Sequence, residues 1–263
     1  MSLTLGGGPL AANAPSTVNY RIDGPAHKLF FRRPFPRRVR AVLNGETVVD
    51  TDRGMLLYES NLLPTLYVPE EDLRAALLTP TDHTTHCPFK GDASYRTITV
   101  GDRVEENAVW HYPAPIETAS WLKGYAALYW EKIDQWLDED EEVLGHLRDP
   151  YHRVDIRTSS RKVVVRAGDV VLAESSRPFV LSETGLPNRY YIPRDDVRND
   201  VLSATRTSTV CPYKGTASYV RTAAIDDVAW LYEQPLAESL PIAGAVAFDT
   251  SKVTVEVDGV KVD

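Results

Sequence analysis

Apolar and polar positions along the chain follow three recurring patterns. Val253-Thr254-Val255-Glu256-Val257 alternates at period two, as a strand with one buried face does, and Asp258-Gly259 then leads into Val260-Lys261-Val262. That dipeptide favours the left-handed conformations of a two-residue hairpin turn. A second hairpin is predicted where Val163-Val164-Val165 and Val170-Val171-Leu172 flank Arg166-Ala167-Gly168-Asp169, two apolar runs around a turn. A helical period appears only after Pro69. Proline suits the first helical turn, Glu70, Glu71 and Asp72 suit the positive end of the helix dipole, Leu73, Ala76 and Leu77 fall on one face, and Pro80 ends the segment. Pro193 opens a similar segment carrying Val197, Val201 and Ala204.

These elements occur twice because the chain repeats itself. Cys87-Pro88-Phe89-Lys90-Gly91-Asp92-Ala93-Ser94-Tyr95 matches Cys211-Pro212-Tyr213-Lys214-Gly215-Thr216-Ala217-Ser218-Tyr219 at an offset of 124 residues. The same offset carries Arg53 to Arg177, Glu59 to Glu183, Tyr67 to Tyr191 and Asp72 to Asp196 without a gap. Downstream the offset falls to 120, pairing Trp110 with Trp230 and Tyr112 with Tyr232. The second copy therefore lacks four residues, and their counterpart is Val100-Gly101-Asp102-Arg103, a hairpin tip where length changes are tolerated. The expected fold class is mainly β: two tandem copies of a small antiparallel β domain, each with one short helix. The expected organisation is a mobile tail over 1–18, a first repeat domain over 19–145 and a second over 151–263.

Composition narrows the function classes. A hydrophobic share of 43% suffices for real cores. The net charge of −8 repels phosphate backbones, so no nucleic-acid partner is expected. Arg32, Arg33, Arg37, Arg38 and Arg40 form the only basic cluster, read as ion-paired strand-edge charge, and Asp138 to Glu142 is an acidic run read as a solvated loop tip. No apolar run has the length of a membrane span and no export signal is recognisable, so no membrane partner and a cytoplasmic location are expected. Cys87 and Cys211 fall one to each copy, so neither copy can close a disulfide of its own.

The candidate chemistry lies in two segments of the second copy. Cys211 and Lys214 bring a thiol and an ammonium three residues apart, and a nearby cation is what turns a cysteine into a nucleophile. A Cys-Pro bend ending in Lys-Gly is equally good turn chemistry, with the thiol buried and inert. The polar stretch from Ser182 to Pro193 holds Glu183, Arg189 and Tyr191, a set suited to a small polar or anionic ligand. Cys211, Lys214 and Glu183 are the catalytic candidates. Arg189, Tyr191, Tyr219 and Trp230, with Glu59, Tyr67, Cys87, Lys90 and Tyr95 of the first copy, are the ligand-binding candidates. The first copy has Thr65 and Leu66 where Arg189 and Tyr190 stand. His83 and His86 precede Cys87 but become Thr207 and Val210 in the second copy, and no further ligands are spaced nearby, so no metal site is assigned. Phosphate-binding, dinucleotide and hydrolase signatures are missing, and no cofactor is assigned.

Cys211-Pro212-Tyr213-Lys214-Gly215-x-Ala217-x-Tyr219, the loop Glu183-Thr184-Gly185-Leu186-Pro187 running into Arg189-Tyr190-Tyr191-Ile192-Pro193, and Trp230-x-Tyr232 resemble the family catalogued as domain of unknown function 427, in its tandem bacterial form. The resemblance spans residues 30 to 263. It implies a compact, mainly β domain with no established activity; the family's nucleotidyltransferase-like label finds no supporting glycine-serine or spaced acidic signature here. The first copy departs from the pattern at Thr65, Leu66 and Phe89. Two readings stand: a small-molecule-binding protein or enzyme with a Glu/Arg/Tyr/Cys/Lys pocket in the second repeat, and a non-catalytic interaction or scaffold module in which the Cys-Pro-aromatic-Lys-Gly motif is structural.

Overall fold

The computed structural model describes residues 3–8, 10–11 and 30–262. The chain divides into two compact units, Ile22–Leu147 and Arg148–Asp263, the latter including Met1–Arg21. In the first copy the strands are β1 (Phe31–Pro34), β2 (Val39–Leu43), β3 (Glu46–Thr51), β4 (Met55–Tyr58), β5 (Thr65–Pro69), β6 (Leu78–Cys87), β7 (Gly91–Val100), β8 (Arg103–His111), β9 (Tyr125–Leu128), β10 (Gln135–Asp138) and β11 (Glu141–Glu142). They form a seven-stranded antiparallel sheet in the order β1-β4-β5-β9-β8-β7-β6 and a four-stranded sheet in the order β11-β10-β2-β3.

The second copy repeats this plan with β12 (Val154–Thr158), β13 (Val163–Ala167), β14 (Val170–Ser175), β15 (Phe179–Glu183), β16 (Arg189–Ile192), β17 (Ser203–Cys211), β18 (Gly215–Arg221), β19 (Ala229–Leu231), β20 (Val246–Phe248), β21 (Thr254–Val257) and β22 (Val260–Val262). Its sheets run β12-β15-β16-β20-β19-β18-β17 and β14-β13-β21-β22. Both hairpins expected in this copy are present, Val163–Ala167 with Val170–Ser175 and Thr254–Val257 with Val260–Val262. Asp258 and Gly259 take φ of 52° and 81°, as a primed turn requires.

Period-two alternation sorts the side chains of the large sheet between two faces. On β16, Ile192 faces the small sheet and joins a core with Val163, Val165, Leu172, Val246, Phe248 and Val255. Tyr191 points the other way, into a second cluster with Leu181, Ala217, Tyr232, Ile242 and Ala247. The first copy separates Val68 from Tyr67 in the same manner. Both faces being covered, the central strands read as continuous apolar runs.

The segment expected to be one helix is two successive 3-10 turns, Glu70–Asp72 and Ala75–Leu77, repeated as Arg194–Asp196 and Asn199–Val201. Tertiary contacts override the helical period. Arg53 pairs with Glu71 and Asp72, Thr51 Oγ1 donates to Asp72 at 2.6 Å, and Arg74 N donates to Val48 O, which pins each turn to the small sheet. Arg177, Ser175 and Asp196 do the same in the second copy. Pro80 and Ala204, expected in or after the helix, lie in β6 and β17.

The acidic run is solvated over residues 139–142, with Asp140 exposed and paired with Arg40 at 2.7 Å, while Asp138 at its base is buried and bidentate to Arg37 at 2.5 and 2.6 Å. The expectation of a tail over 1–18 is corrected where residues are described, since Thr4 is buried and Gly7 N donates to Gly185 O at 2.8 Å. Residues 12–18 lie outside the described residues.

Candidate functional site

The Cys-Pro-aromatic-Lys-Gly motif is the turn of a β-hairpin. Cys211 pairs with Gly215 across β17 and β18, and Lys214 N donates back to Cys211 O at 3.3 Å. Gly215 takes a φ of +98°, which admits glycine and strains other residues, and a Cβ there would meet Gln234 O at 3.4 Å. Lys214 O accepts from Leu236 N, locking the turn to the chain that leads into the 3-10 segment Ala237–Ile242. The first copy builds the same turn from Cys87, Lys90 and Gly91, whose φ is +104°.

This turn drives the lysine inward. Lys214 Nζ lies 2.5 Å from Glu183 Oε2, and Lys90 Nζ lies 2.6 Å from Glu59 Oε2. All four side chains are nine-tenths or more buried. The ammonium that the sequence set beside Cys211 is thus held by a carboxylate.

A row of side chains crosses the same face of the large sheet. Register aligns Phe179 with Tyr191, Tyr191 with Ala247, Ala247 with Trp230 and Trp230 with Tyr219. The small Ala247 leaves room above it, so the Trp230 indole reaches across to donate to Tyr191 Oη at 3.3 Å. Trp110 makes the same bond to Tyr67 at 3.4 Å. Tyr219 Oη pairs with Thr209 Oγ1 at 2.9 Å, and Tyr95 with Thr85 at 2.8 Å. Arg189 is two residues before Tyr191, hence on the same face, and its guanidinium sits 5.2 Å from the Trp230 ring centroid. Trp110 instead packs on Tyr129 at 4.7 Å.

The predicted site residues of the second copy are therefore gathered on one face. Cys211, Tyr219 and Trp230 pack on the cluster holding Tyr191. Burial pushes the Tyr191 phenol above its ordinary range, the Trp230 hydrogen bond lowers it in part, and Glu183, Arg189 and Cys211 are close enough to act on it. In the first copy Cys87, Tyr95 and Trp110 pack with Tyr67 likewise. His83 and His86 lie on the exposed strand β6, His83 against Tyr95 and His86 Nδ1 at 2.6 Å from Asp92.

The residue that sequence reading missed is His152. Its side chain is fully buried, its Nε2 lies 3.0 Å from Glu183 Oε1, and its ring stacks on Tyr213 at 3.8 Å between centroids. Tyr213 Oη in turn accepts from Asp149 N at 2.7 Å. His152 Nδ1 is buried with no hydrogen-bond partner among the described residues. The only sequence signal was a tyrosine at 213 where the first copy has Phe89. Burial pushes the Glu183 carboxyl up, but the hydrogen bond from His152, with the charge and hydrogen bond of Lys214, outweighs it and holds the group at about 2. Glu183 is thus an ionised carboxylate between two donors.

A family model described as a domain of unknown function (DUF427), and labelled NTP_transf_9, matches residues 32–139 and again 155–259. The chain belongs to the DUF427 family. It carries that domain twice, each match falling on one of the two sandwiches described above. A search of curated proteins finds no relative that matches. Among the described residues no helix is long and apolar enough to cross a membrane.

Proposed function

We propose that this tandem DUF427 protein binds a small polar molecule on the outer face of the second copy's large sheet. His152, Glu183 and Lys214 form the charged end, and Trp230, Tyr219 and Arg189 form the wall. One observation carries the reading: the buried Nδ1 of His152 has no partner among the described residues. Orphaned buried polar atoms are rare and point to a missing water, ion or ligand. Glu183 fixes the opposite nitrogen, so the ring offers Nδ1 to a ligand hydroxyl or carboxyl group. An imidazole held by a carboxylate is also the arrangement of a general base.

The Lys-Glu pair recurs in both copies, whereas Arg189 and Tyr213 are Thr65 and Phe89 in the first copy. That favours a second role for the motif, as the clamp that closes this end of the sheet, with ligand recognition added by His152, Tyr213 and Arg189 in the second copy alone. The test is His152→Phe, followed by melting temperature and by NMR of the imidazole nitrogens in the parent chain. A functional imidazole predicts that small alcohols and carboxylates shift Nδ1 in the parent; the variant itself is expected to lose about 1–3 kcal/mol, because the buried Glu183 Oε1 loses a donor. Loss of stability with no shift from any probe would leave His152 a purely structural residue.

A further inference from the structure

The two copies differ at the end of the domain where β7 meets β8 in the first copy and β18 meets β19 in the second. In the first copy this end is filled: Leu43, Ile98 and Val100 are buried in the core, and Asn44 Nδ2 donates to Val100 O at 3.0 Å, fastening the β7–β8 hairpin down. At the 124-residue offset Leu43 becomes Ala167, Asn44 becomes Gly168 and Ile98 becomes Thr222. Val100 falls among the four residues the second copy lacks. There the hairpin closes early, with Thr222 N donating to Ile225 O at 3.0 Å. Three losses of side-chain volume and the loss of a fastening bond coincide at one place. What they leave is a groove of about 740 Å³ whose apolar lining includes Ala167, Val170, Leu172, Val201, Leu202 and Ile225.

We propose that this groove is a binding site for an uncharged, apolar small molecule of the size of an acyl chain or a fused-ring compound. Its volume lies in the range of small-molecule sites, about 300–1,000 Å³. Its polar lining is largely committed: Asp200 is bidentate to Arg198 at 2.7 Å, and Thr222 Oγ1 accepts from Ala224 N and Ile225 N. The one carboxylate of the lining, Asp200, is already paired with Arg198, and the fold's own solution in the first copy is to fill the space with aliphatic side chains. The site is separate from the outer-face cluster and does not rest on the reading of His152.

The experiment uses the full chain with 1-N-phenylnaphthylamine, which fluoresces when taken up by an apolar site. The parent chain is expected to bind it saturably at one site. Ala167→Leu combined with Thr222→Ile puts back the side chains of the first copy and is expected to weaken binding by about tenfold or more. Val170→Glu, at an exposed position on the rim, is expected to weaken it as well with the fold undisturbed, which keeps the test valid if the double variant misfolds. His152→Phe is expected to leave it unchanged. Non-saturable uptake, or uptake indifferent to both groove variants, overturns the proposal. So does a chain that self-associates in sedimentation and is made monomeric by the double variant, since the groove would then be occupied by a second copy.

Discussion

Cutting the Lys214–Glu183 pair is the perturbation with the largest consequence. The charges approach to 2.5 Å with side chains 9% and 7% exposed. At an effective dielectric of about 20 that separation corresponds to about 7 kcal/mol of attraction, much of it offset by the loss of hydration. Lys214→Met removes the attraction but not the cost, because it leaves the Glu183 carboxylate buried with His152 alone. The expected loss is about 3–5 kcal/mol. Replacing both partners with apolar groups, Glu183→Leu with Lys214→Met, removes the cost too and should recover most of that loss. Urea unfolding of the three chains reads the effect, with Lys90→Met as the parallel test in the other copy. Losses below about 1 kcal/mol for Lys214→Met, the size typical of exposed pairs, would refute the claim that the pair is buried and structural.

The same carboxylate sets an acid dependence. Its folded value of about 2 lies below its ordinary 4.5, so its contribution is fully present above pH 4.5 and is lost as the pH falls towards 2. About 3 kcal/mol should disappear over that window; the gap in stability between the parent and Glu183→Gln should narrow accordingly in urea titrations run at falling pH. Gly215→Ala should cost about 1–3 kcal/mol through its positive φ, and Gly91→Ala a similar amount, both read as lowered urea midpoints. Arg189→Met should change the emission of Trp230 and cost about 0.5–1 kcal/mol, since the guanidinium lies over that indole.

Much of this was legible in the sequence because duplication acts as an internal control. The hairpins at Gly168 and Asp258-Gly259 and the position of the four-residue deletion follow from turn chemistry and matched residues. The helix after Pro69 was misread because Leu73, Ala76 and Leu77 fit a helical period, while the Arg53 clamp on Asp72 and the Arg74–Val48 bond hold the backbone in separate 3-10 turns. The partner of Lys214 was also hidden. Cys211 is its neighbour along the chain, but the turn aims the side chain at Glu183, 31 residues away, and no local rule supplies that direction. His152 lies just after the boundary between the two units, a place where sequence offers no pattern, and only packing against Tyr213 gives it meaning.

The most direct measurement of the central claim is a 1H–15N spectrum of the tryptophan indoles during titration with small hydroxy- and carboxy-bearing compounds. Trp110 and Trp230 occupy matching positions, each donating to a buried tyrosine, and so report on one copy each. A binding compound is expected to move the Trp230 signal and leave Trp110 in place, and His152→Phe is expected to abolish the movement. Equal movement of both signals, or movement that survives the loss of His152, would contradict the claim.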